Sequence, residues 1–235
     1  MSATVYLIPS VLSEGGTHCL PGYILEAVKQ CSVFFTENDR TARRFLKSIW
    51  KEMVIDDYER QSMKQVDDGV ASIFRNKIKE GKTIGLISEA GCPGVADPGQ
   101  DLVAIAHQMN AAVKPLVGPN SILLALMASG MNGQHFRFFG YLPIEAGERV
   151  KAIRSLESES RLKNCTQIFI ETPYRNNAFL ETLVKTCQPS TRICVAVDLT
   201  APTESIQTRR VSDWKSSLPQ LHKRPAIFLL LAERE

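Results

Sequence analysis

The chain has 235 residues, of which 44% are hydrophobic and 23% charged, so it holds enough apolar side chain for one large core or two small ones. Its formal charge of +3 is too small to require a nucleic acid partner, although it would not oppose a phosphate-bearing substrate. Residues 1–118 carry 13 Lys and Arg against 14 Asp and Glu, about −1, and residues 119–235 carry 15 against 11, about +4. We therefore expect any contact with a polyanion on the second half.

The cysteines and the amino terminus both indicate the cytoplasm. The six cysteines include no CxxC pair and stand mostly beside apolar residues, as buried free thiols do. The first residues contain neither a basic region nor a cleavable apolar stretch, and no apolar run approaches the ~20 residues that span a bilayer. We expect a cytoplasmic protein that does not bind membranes.

Short apolar runs alternate with longer amphipathic ones, which predicts an α/β fold of βα units feeding largely parallel sheets. The strands predicted in the first half are short, apolar and followed by turn residues, namely Val5–Ile8, Ser32–Thr36, Thr83–Ile87 and Ala112–Val117. The helices predicted between them have apolar residues at intervals of three and four, namely Leu25–Cys31, Thr41–Ile49, Val66–Lys79 and Leu102–Met109. These elements predict a first α/β domain over residues 1–118.

A hinge is predicted at Pro115–Pro119, after which Asn120 or Ser121 would cap an apolar helix that runs to Gly130. A second α/β domain, with a mixed sheet, is predicted over residues 119–235. Its predicted strands are Phe136–Gly140, Gln167–Glu171, Arg192–Val197, Glu204–Arg210 and Ala226–Leu231. Its predicted helices are Gly147–Leu162 and Tyr174–Cys187.

Several common ligand-binding motifs are excluded by the sequence. Gly81-Lys-Thr83 is not a P-loop, because Asn76 stands where the motif needs its first glycine and a strand-like run follows. The sequence has no G-x-G-x-x-G after the first strand, no G-x-S-x-G and no H-E-x-x-H. Its four histidines are scattered, so we predict no metal site.

The most informative segment is the loop Ser88-Glu-Ala-Gly-Cys-Pro-Gly-Val-Ala-Asp-Pro-Gly99. It follows the predicted strand Thr83–Ile87, and ligands in open α/β sheets bind beyond the carboxyl ends of strands. Its glycines allow close approach to the backbone, while its prolines stiffen it and withhold N–H groups. Such a loop exposes carbonyls and amides together, which suits a sulfonium cofactor with an amino-acid tail and an adenosine. An ordinary βα connection is the alternative interpretation, and Glu89 and Asp97 are expected to favour solvent or a helix N-terminus over metal.

This loop resembles the S-D-A-G-T-P-x-x-S-D-P-G signature of the bacterial ribosomal small-subunit RNA ribose-2′-O-methyltransferases, a branch of the tetrapyrrole methylase superfamily. Other segments resemble the same family in the same order. They are Glu37-Asn-Asp-Arg40 (E-D-T-R), Val117-Gly-Pro-Asn-Ser121 (P-G-P-S-A), Ala128-Ser-Gly130 (A-S-G-L), Phe139-Gly-Tyr-Leu-Pro143 (E-G-F-L-P) and Phe169-Ile-Glu-Thr-Pro-Tyr-Arg175 (F-Y-E-S-P-H-R). The resemblance covers residues 3 to 231.

The resemblance implies two α/β domains facing across a cleft that binds S-adenosylmethionine, usually in a homodimer. The residues that it assigns to the cofactor are Pro9, Ser88, Gly91, Cys92, Pro93, Asn120, Ser121, Glu171 and Ala226. For a ribose hydroxyl acceptor, Glu37, Asp39 or Glu171 could serve as base or hydrogen-bond acceptor. Arg40 and Arg175 could hold a phosphate of the substrate, since a guanidinium fork matches that geometry. Ion pairs at the edge of the cleft, or helix caps, are the alternative for each.

Departures from the family pattern fall mostly where the substrate is expected. The P-I-G-N-L loop is Ser10-Val-Leu-Ser13 here, Asn38 and Tyr174 replace an aspartate and a histidine, and H-E-E becomes Thr203-Glu-Ser205. The sequence also ends soon after its last predicted strand, where many ribosomal members carry an extension. Three functions therefore stay open: methylation of ribosomal RNA, methylation of a small molecule such as a tetrapyrrole, and a non-catalytic role in RNA binding or assembly.

Overall fold

The chain folds into two compact units, and the computed structural model describes residues 3–233 of it. The division lies between Asn120 and Ser121, close to the end of the first predicted domain at residue 118. Each unit contains a five-stranded sheet with helices, so the predicted α/β fold class is confirmed. Among residues 3–233, no helix combines the length and the apolar character needed to cross a membrane.

The first unit is built on a parallel sheet. Its strands are β1 (Thr4–Ile8), β2 (Val33–Thr36), β3 (Glu59–Ser62), β4 (Thr83–Ile87) and β5 (Ala112–Pro115). Its helices are α1 (Tyr23–Gln30), α2 (Asp39–Ile49), α3 (Asp68–Lys79) and α4 (Gly99–Gln108), with short 3-10 segments at Gly16–Cys19 and Ile55–Asp57. The strand order is β3-β2-β4-β1-β5 and all pairs are parallel, so the carboxyl ends of the five strands meet at one edge.

Apolar side chains fill both faces of this sheet, as in other parallel sheets. In β2, Val33 and Phe35 belong to one hydrophobic cluster and Phe34 to the other, because successive side chains of a strand point to opposite faces. Phe35 packs edge-on against Phe74 of α3, with ring centroids 5.0 Å apart. Burial on both faces therefore fixes the positions at which the loops of the carboxyl edge begin.

The second unit is built on a mixed sheet. Its strands are β6 (Phe136–Tyr141), β7 (Thr166–Ile170), β8 (Arg192–Val197), β9 (Ser205–Arg210) and β10 (Ala226–Leu231). Its helices are α5 (Ser121–Ser129), α6 (Ala146–Lys163), α7 (Asn176–Thr186) and α8 (Val211–Trp214). The order is β6-β7-β10-β8-β9, in which only the β6-β7 pair is parallel. The largely parallel pattern is therefore confined to the first unit, and the sheet of the second unit is mixed.

Aromatic rings dominate the core of the second unit. Phe179 of α7 contacts Phe169 and Phe228 of the sheet, with ring centroids 5.6 and 4.9 Å apart. Trp214 is fully buried, and its indole N–H donates to the carbonyl of Ile193 at 3.1 Å. This hydrogen bond satisfies the polar atom of the ring, so the whole side chain can contribute to the core.

Helix starts differ from the predicted ones where a cap or a turn decides them. The helix expected from Thr41 starts at Asp39, because the Asn38 side chain accepts the N–H groups of Arg40 and Thr41. The helix expected from Val66 starts at Asp68 behind the Asp67 cap. The helix expected from Tyr174 starts at Asn176, since residues 172–175 form a turn closed by the Arg175 N–H and the Thr172 carbonyl at 2.8 Å.

Candidate functional site

The candidate site lies at the carboxyl edge of the sheet of the first unit. Strand β4 stands between β1 and β2, so the loops that leave β1 and β4 are neighbours although 78 residues separate Ser10 from Ser88. Crevices outside the carboxyl ends of strands, at points where the strand order reverses, are where open α/β sheets bind ligands. The loop Ser88–Gly99 starts at this point.

Two buried serines fasten the start of the loop to the end of β1. The N–H of Ser10 donates to the carbonyl of Gly91 at 2.9 Å, and its hydroxyl donates to the carbonyl of Ser88 at 3.3 Å. The Ser88 hydroxyl donates to the carbonyl of Gly91 at 3.3 Å. Because both serines are almost fully buried, these bonds replace contacts with water and hold the loop in one conformation.

The second half of the loop is organised by Asp97. Its carboxylate accepts the N–H of Gly94 at 2.9 Å and the N–H of Gly99, at the start of α4, at 2.6 Å. Burial raises the pKa of the Asp97 carboxyl, and these backbone donors partly oppose the shift. Gly91 and Gly94 have positive φ values of 75° and 84°, a conformation that glycine adopts without strain, and Ala96 has a φ of 60°, which is uncommon for a residue with a Cβ. Asp97 therefore shapes the loop and accepts a hydrogen bond from the first residue of α4.

The middle of the loop contacts the segment that leaves β5. The thiol of Cys92 lies 3.6 Å from the carbonyl oxygen of Gly118 and 3.5 Å from that of Pro119. Burial raises the pKa of this thiol, with an opposing hydrogen bond to Asn120, so it stays protonated and can donate at neutral pH. Gly118 packs directly on Pro9, because a Cβ there would lie 2.2 Å from the Pro9 Cβ.

A polar pocket of about 350 Å³ opens beside this loop. It is lined by residues at or just beyond the ends of β2, β3 and β4, namely Glu37, Asn38, Asp39, Ser62, Lys64 and Glu89. Asp39 is already paired with Arg60, whose Nε lies 3.0 Å from its carboxylate. The remaining charges are two carboxylates, which can accept hydrogen bonds from hydroxyl groups, and one ammonium group, which is the only one of the three that can contact an anion.

Glu37 and Glu89 are connected within the pocket. The carboxylate of Glu37 accepts the backbone N–H of Glu89 at 2.8 Å, and the Glu37 N–H donates to the carbonyl of Ile87 at 3.0 Å. The Asn38 amide donates to the carboxylate of Glu89 at 3.2 Å while its oxygen caps α2. The pocket wall is thus one hydrogen-bonded unit that joins the ends of β2 and β4.

The structure brings most of the residues predicted in the first unit to this edge. Those expected to bind the cofactor are Pro9, Ser88, Gly91, Cys92, Pro93 and Asn120, and all belong to the three loops just described. Glu37 and Asp39 line the pocket, whereas Arg40 is exposed in the first turn of α2 and is not among the lining residues. Ser62 and Lys64 were not predicted, because the strand that positions them has no apolar pattern.

In the second unit, Glu171 follows β7 and is almost fully buried. Its Oε1 accepts from Arg175 at 2.6 Å and from the Thr172 N–H at 2.6 Å. Ala226 is the first residue of β10. The next residue, Ile227, pairs with Ile170 of β7, and Ile170 immediately precedes Glu171. The structure therefore brings Glu171, Arg175 and Ala226 to one end of this sheet, while Ser121 begins α5.

The described residues offer no obvious metal centre. Within residues 3–233, no group of three or more His, Cys, Asp or Glu side chains is arranged to hold an ion. Asp97 and Glu89, the acidic residues of the loop, instead bond to the backbone of the loop and to Asn38.

The sequence matches a known protein family. A family model described as "Tetrapyrrole (Corrin/Porphyrin) Methylases" matches residues 23–214, which is most of the chain. The chain belongs to the tetrapyrrole methylase family. The resemblance inferred from the sequence motifs is thereby confirmed.

Two relatives illustrate the branch of the family that the chain resembles, and both are named ribosomal RNA small subunit methyltransferase I. The protein of Micromonospora olivasterospora is 31% identical over 182 residues, which cover 77% of this chain and 55% of that protein. The protein of Streptococcus pyogenes serotype M6 is 26% identical over 232 residues, which cover 98% of this chain and 77% of that protein. The chain thus spans about half the length of the Micromonospora relative.

Solved structures of the family have the same fold. The methyltransferase CobJ superposes with a TM-score of 0.63 at 18% identity, covering 98% of this chain and 94% of that one. The uroporphyrin-III-C-methyltransferase of Thermus thermophilus gives a TM-score of 0.56 at 17% identity, covering 98% and 93%. At this identity the likeness establishes the fold alone.

Proposed function

We propose that the chain is an S-adenosylmethionine-dependent methyltransferase that methylates a ribose 2′-hydroxyl of ribosomal RNA. The observation that carries the proposal is the loop Ser88–Gly99, which is tied to the end of β1 beside a carboxylate-lined pocket. Membership of the methylase family and relatives named for ribosomal RNA methylation support the same activity. When bound, the cofactor supplies an electrophilic methyl group on sulfur.

The loop is suited to that cofactor because its own side chains leave space and add no charge at its centre. A Cβ on Gly94 would meet no heavy atom within 4 Å, so the backbone can be approached closely there. Cys92 is held as a neutral thiol, since burial raises its pKa. We propose that the loop binds the cofactor through the backbone of residues 88–94, supported by Pro9 and Asn120.

Glu37 is our candidate for the group that accepts the proton of the attacking hydroxyl. Its hydrogen bond from the Glu89 N–H fixes the carboxylate in the pocket, as a general base requires. Lys64 supplies a positive charge in the same pocket that can hold a phosphate of the RNA. We propose that Arg40, which is exposed in the first turn of α2, contacts RNA at the surface.

Glu171, Arg175, Ser121 and Ala226 are proposed on the family resemblance. Arg175 donates to Glu171 through both Nε and Nη2, at 3.0 and 2.6 Å, so the carboxylate is already neutralised. We therefore assign Glu171 to cofactor binding and not to proton transfer. Arg175 is assigned to the orientation of Glu171.

The proposal is tested by two measurements on the purified chain. Calorimetry measures S-adenosylmethionine binding, and a labelled methyl group is followed into small ribosomal subunits from a strain that lacks the protein. We expect binding and a single new ribose 2′-O-methylation. Failure to bind the cofactor would favour a non-catalytic RNA-binding protein. Cofactor binding with an unchanged methylation map, together with transfer to a tetrapyrrole, would favour the small-molecule alternative.

We also propose a cytoplasmic homodimer, from the habit of the family. Light scattering during size-exclusion chromatography measures the mass directly. A mass of one chain, about 26.1 kDa, would exclude the dimer.

A further inference from the structure

The second unit presents an exposed aromatic pair that the reaction chemistry does not use. Tyr174 is 70% exposed and lies in the turn between β7 and α7. Its ring meets the ring of His222 at 74°, with centroids 5.9 Å apart. A T-shaped contact covers at most one face of each ring, so an open ring face is available to a planar partner.

Hydrogen bonds hold the two turns that carry these rings. The N–H of Lys223 donates to the carbonyl of Pro173 at 3.1 Å, and the side chain of Asn176 donates to the carbonyl of Arg224 at 2.6 Å. Asn177 accepts the N–H of Leu221 at 2.7 Å. The aromatic pair therefore sits on a fixed support, so binding a ligand would cost little conformational entropy.

The charge around the pair is complementary to a polyanion. Arg175 is paired with Glu171 and Arg224 with Asp198, at 2.6 and 2.8 Å. Within each pair the positive and negative charges cancel. Lys223 is exposed, and its ammonium group therefore gives the two turns a net positive charge. Aromatic faces beside cations are how proteins bind single-stranded nucleic acids, by stacking on bases and contacting phosphates.

We propose that Tyr174 and His222 form a stacking platform for a nucleobase of single-stranded RNA, and that Lys223 contacts the adjoining phosphate. The inference rests on the proposed function, in which RNA is the methyl acceptor. It adds a point of RNA contact in the second unit, which carries the excess of positive charge in the sequence. A platform of this kind has little preference among bases, because each base presents a π face.

The test measures the affinity of the full chain for a short, fluorescently labelled single-stranded RNA by anisotropy, without S-adenosylmethionine. Tyr174→Ala is expected to weaken binding by about 5- to 150-fold, the equivalent of one lost base stack of ~1–3 kcal/mol. Tyr174→Phe keeps the ring and is expected to stay within about twofold of the unchanged protein. Phe136→Ala is the matched control, because Phe136 is 39% exposed at the opposite end of the same sheet.

The salt dependence separates stacking from charge. Lys223→Ala is expected to lower the slope of log affinity against log salt by about 0.7, the value for one phosphate contact on a single strand, whereas Tyr174→Ala leaves the slope unchanged. Equal affinity of Tyr174→Ala and the unchanged protein would overturn the platform, as would an equal loss in Phe136→Ala. If the aromatic pair instead binds a protein partner, Tyr174→Ala and the unchanged protein should have equal affinity for RNA.

Failure of the platform is distinguishable from failure of the proposed function. If the chain methylates ribosomal RNA and Tyr174→Ala binds RNA normally, only the platform is wrong. If RNA binding depends on Tyr174 but no methyl group is transferred to RNA, only the proposed activity is wrong. Thermal unfolding and cofactor affinity of Tyr174→Ala, both expected to match the unchanged protein, show that its fold is intact.

Discussion

The carboxylate of Glu37 accepts the backbone N–H of Glu89 at 2.8 Å, which joins the residue after β2 to the loop after β4. One side chain thus supports the candidate cofactor loop and lines the candidate acceptor pocket. The two roles have different requirements, since the first needs only a hydrogen-bond acceptor and the second needs a group that can take a proton.

Glu37→Gln separates these roles. The amide oxygen still accepts the Glu89 N–H, so we expect S-adenosylmethionine affinity to change by less than about threefold, while turnover falls by roughly 10²-fold or more, as for loss of a general base. Methyl transfer is measured under single-turnover conditions and affinity by calorimetry. Glu52→Gln, on an exposed loop of the same unit, is the matched control and should leave both unchanged. Normal turnover of Glu37→Gln would exclude Glu37 as the base.

The thiol of Cys92 is expected to make the first unit sensitive to alkaline pH. Burial raises its pKa above the ordinary value, so the folded state holds the proton more tightly than the unfolded state does. The stabilisation is therefore complete below the unfolded pKa and is lost as the pH rises through the folded pKa. We expect the unfolding free energy of the unchanged chain to fall relative to that of Cys92→Ser in alkaline solution, measured by urea unfolding.

Cys92→Ala tests the hydrogen bonds of the same side chain. It removes the donor that contacts the carbonyls of Gly118 and Pro119. We expect the free energy of unfolding to fall by about 1 kcal/mol at neutral pH. Cys92→Ser keeps a donor and is expected to lose less. Parallel pH profiles for Cys92→Ser and the unchanged chain would show that the thiol does not titrate differently on folding.

The sequence predicts elements best where burial is complete. The predicted bounds of β4, β8 and β10 equal those in the structure, because each is an apolar run buried along most or all of its length. Strand β3 (Glu59–Ser62) was missed, since Glu-Arg-Gln-Ser has no apolar alternation and lies at the edge of the sheet. Because β3 was not predicted, the two pocket residues that it positions, Ser62 and Lys64, were not predicted either.

Local motifs identified the candidate loop but not what holds it. Its glycines and prolines are visible in the sequence, and so is its place after β4. The bonds from Ser10 to Ser88 and Gly91 connect positions far apart in the chain, and they depend on the strand order β4-β1. Sequence periodicity predicts strands without their order, so these contacts become visible only in the fold.

Gly118→Ala probes the contact between the ends of β1 and β5. A Cβ at this position would lie 2.2 and 2.3 Å from the Cβ and Cγ of Pro9, so backbone must move. We expect a loss of about 1–3 kcal/mol in unfolding free energy, as for overpacking, and weaker cofactor binding. Gly133→Ala is the matched control, because a Cβ there would meet no heavy atom within 4 Å. Equal unfolding midpoints for both variants would contradict the close packing.

Arg175 and Glu171 test whether a buried ion pair serves stability, function or both. Arg175→Ala leaves the buried Glu171 carboxylate with the Thr172 N–H as its remaining described donor. We expect the free energy of unfolding to fall by about 1–3 kcal/mol, a limited loss because the arginine is partly exposed. Glu171→Gln combined with Arg175→Ala removes the stranded charge and should recover much of that stability. A double-mutant cycle by urea unfolding measures the coupling, and additive effects would exclude it. If the stable double variant still binds S-adenosylmethionine more than tenfold less tightly, Glu171 contributes to the cofactor site directly, whereas normal affinity would confine the pair to a structural role.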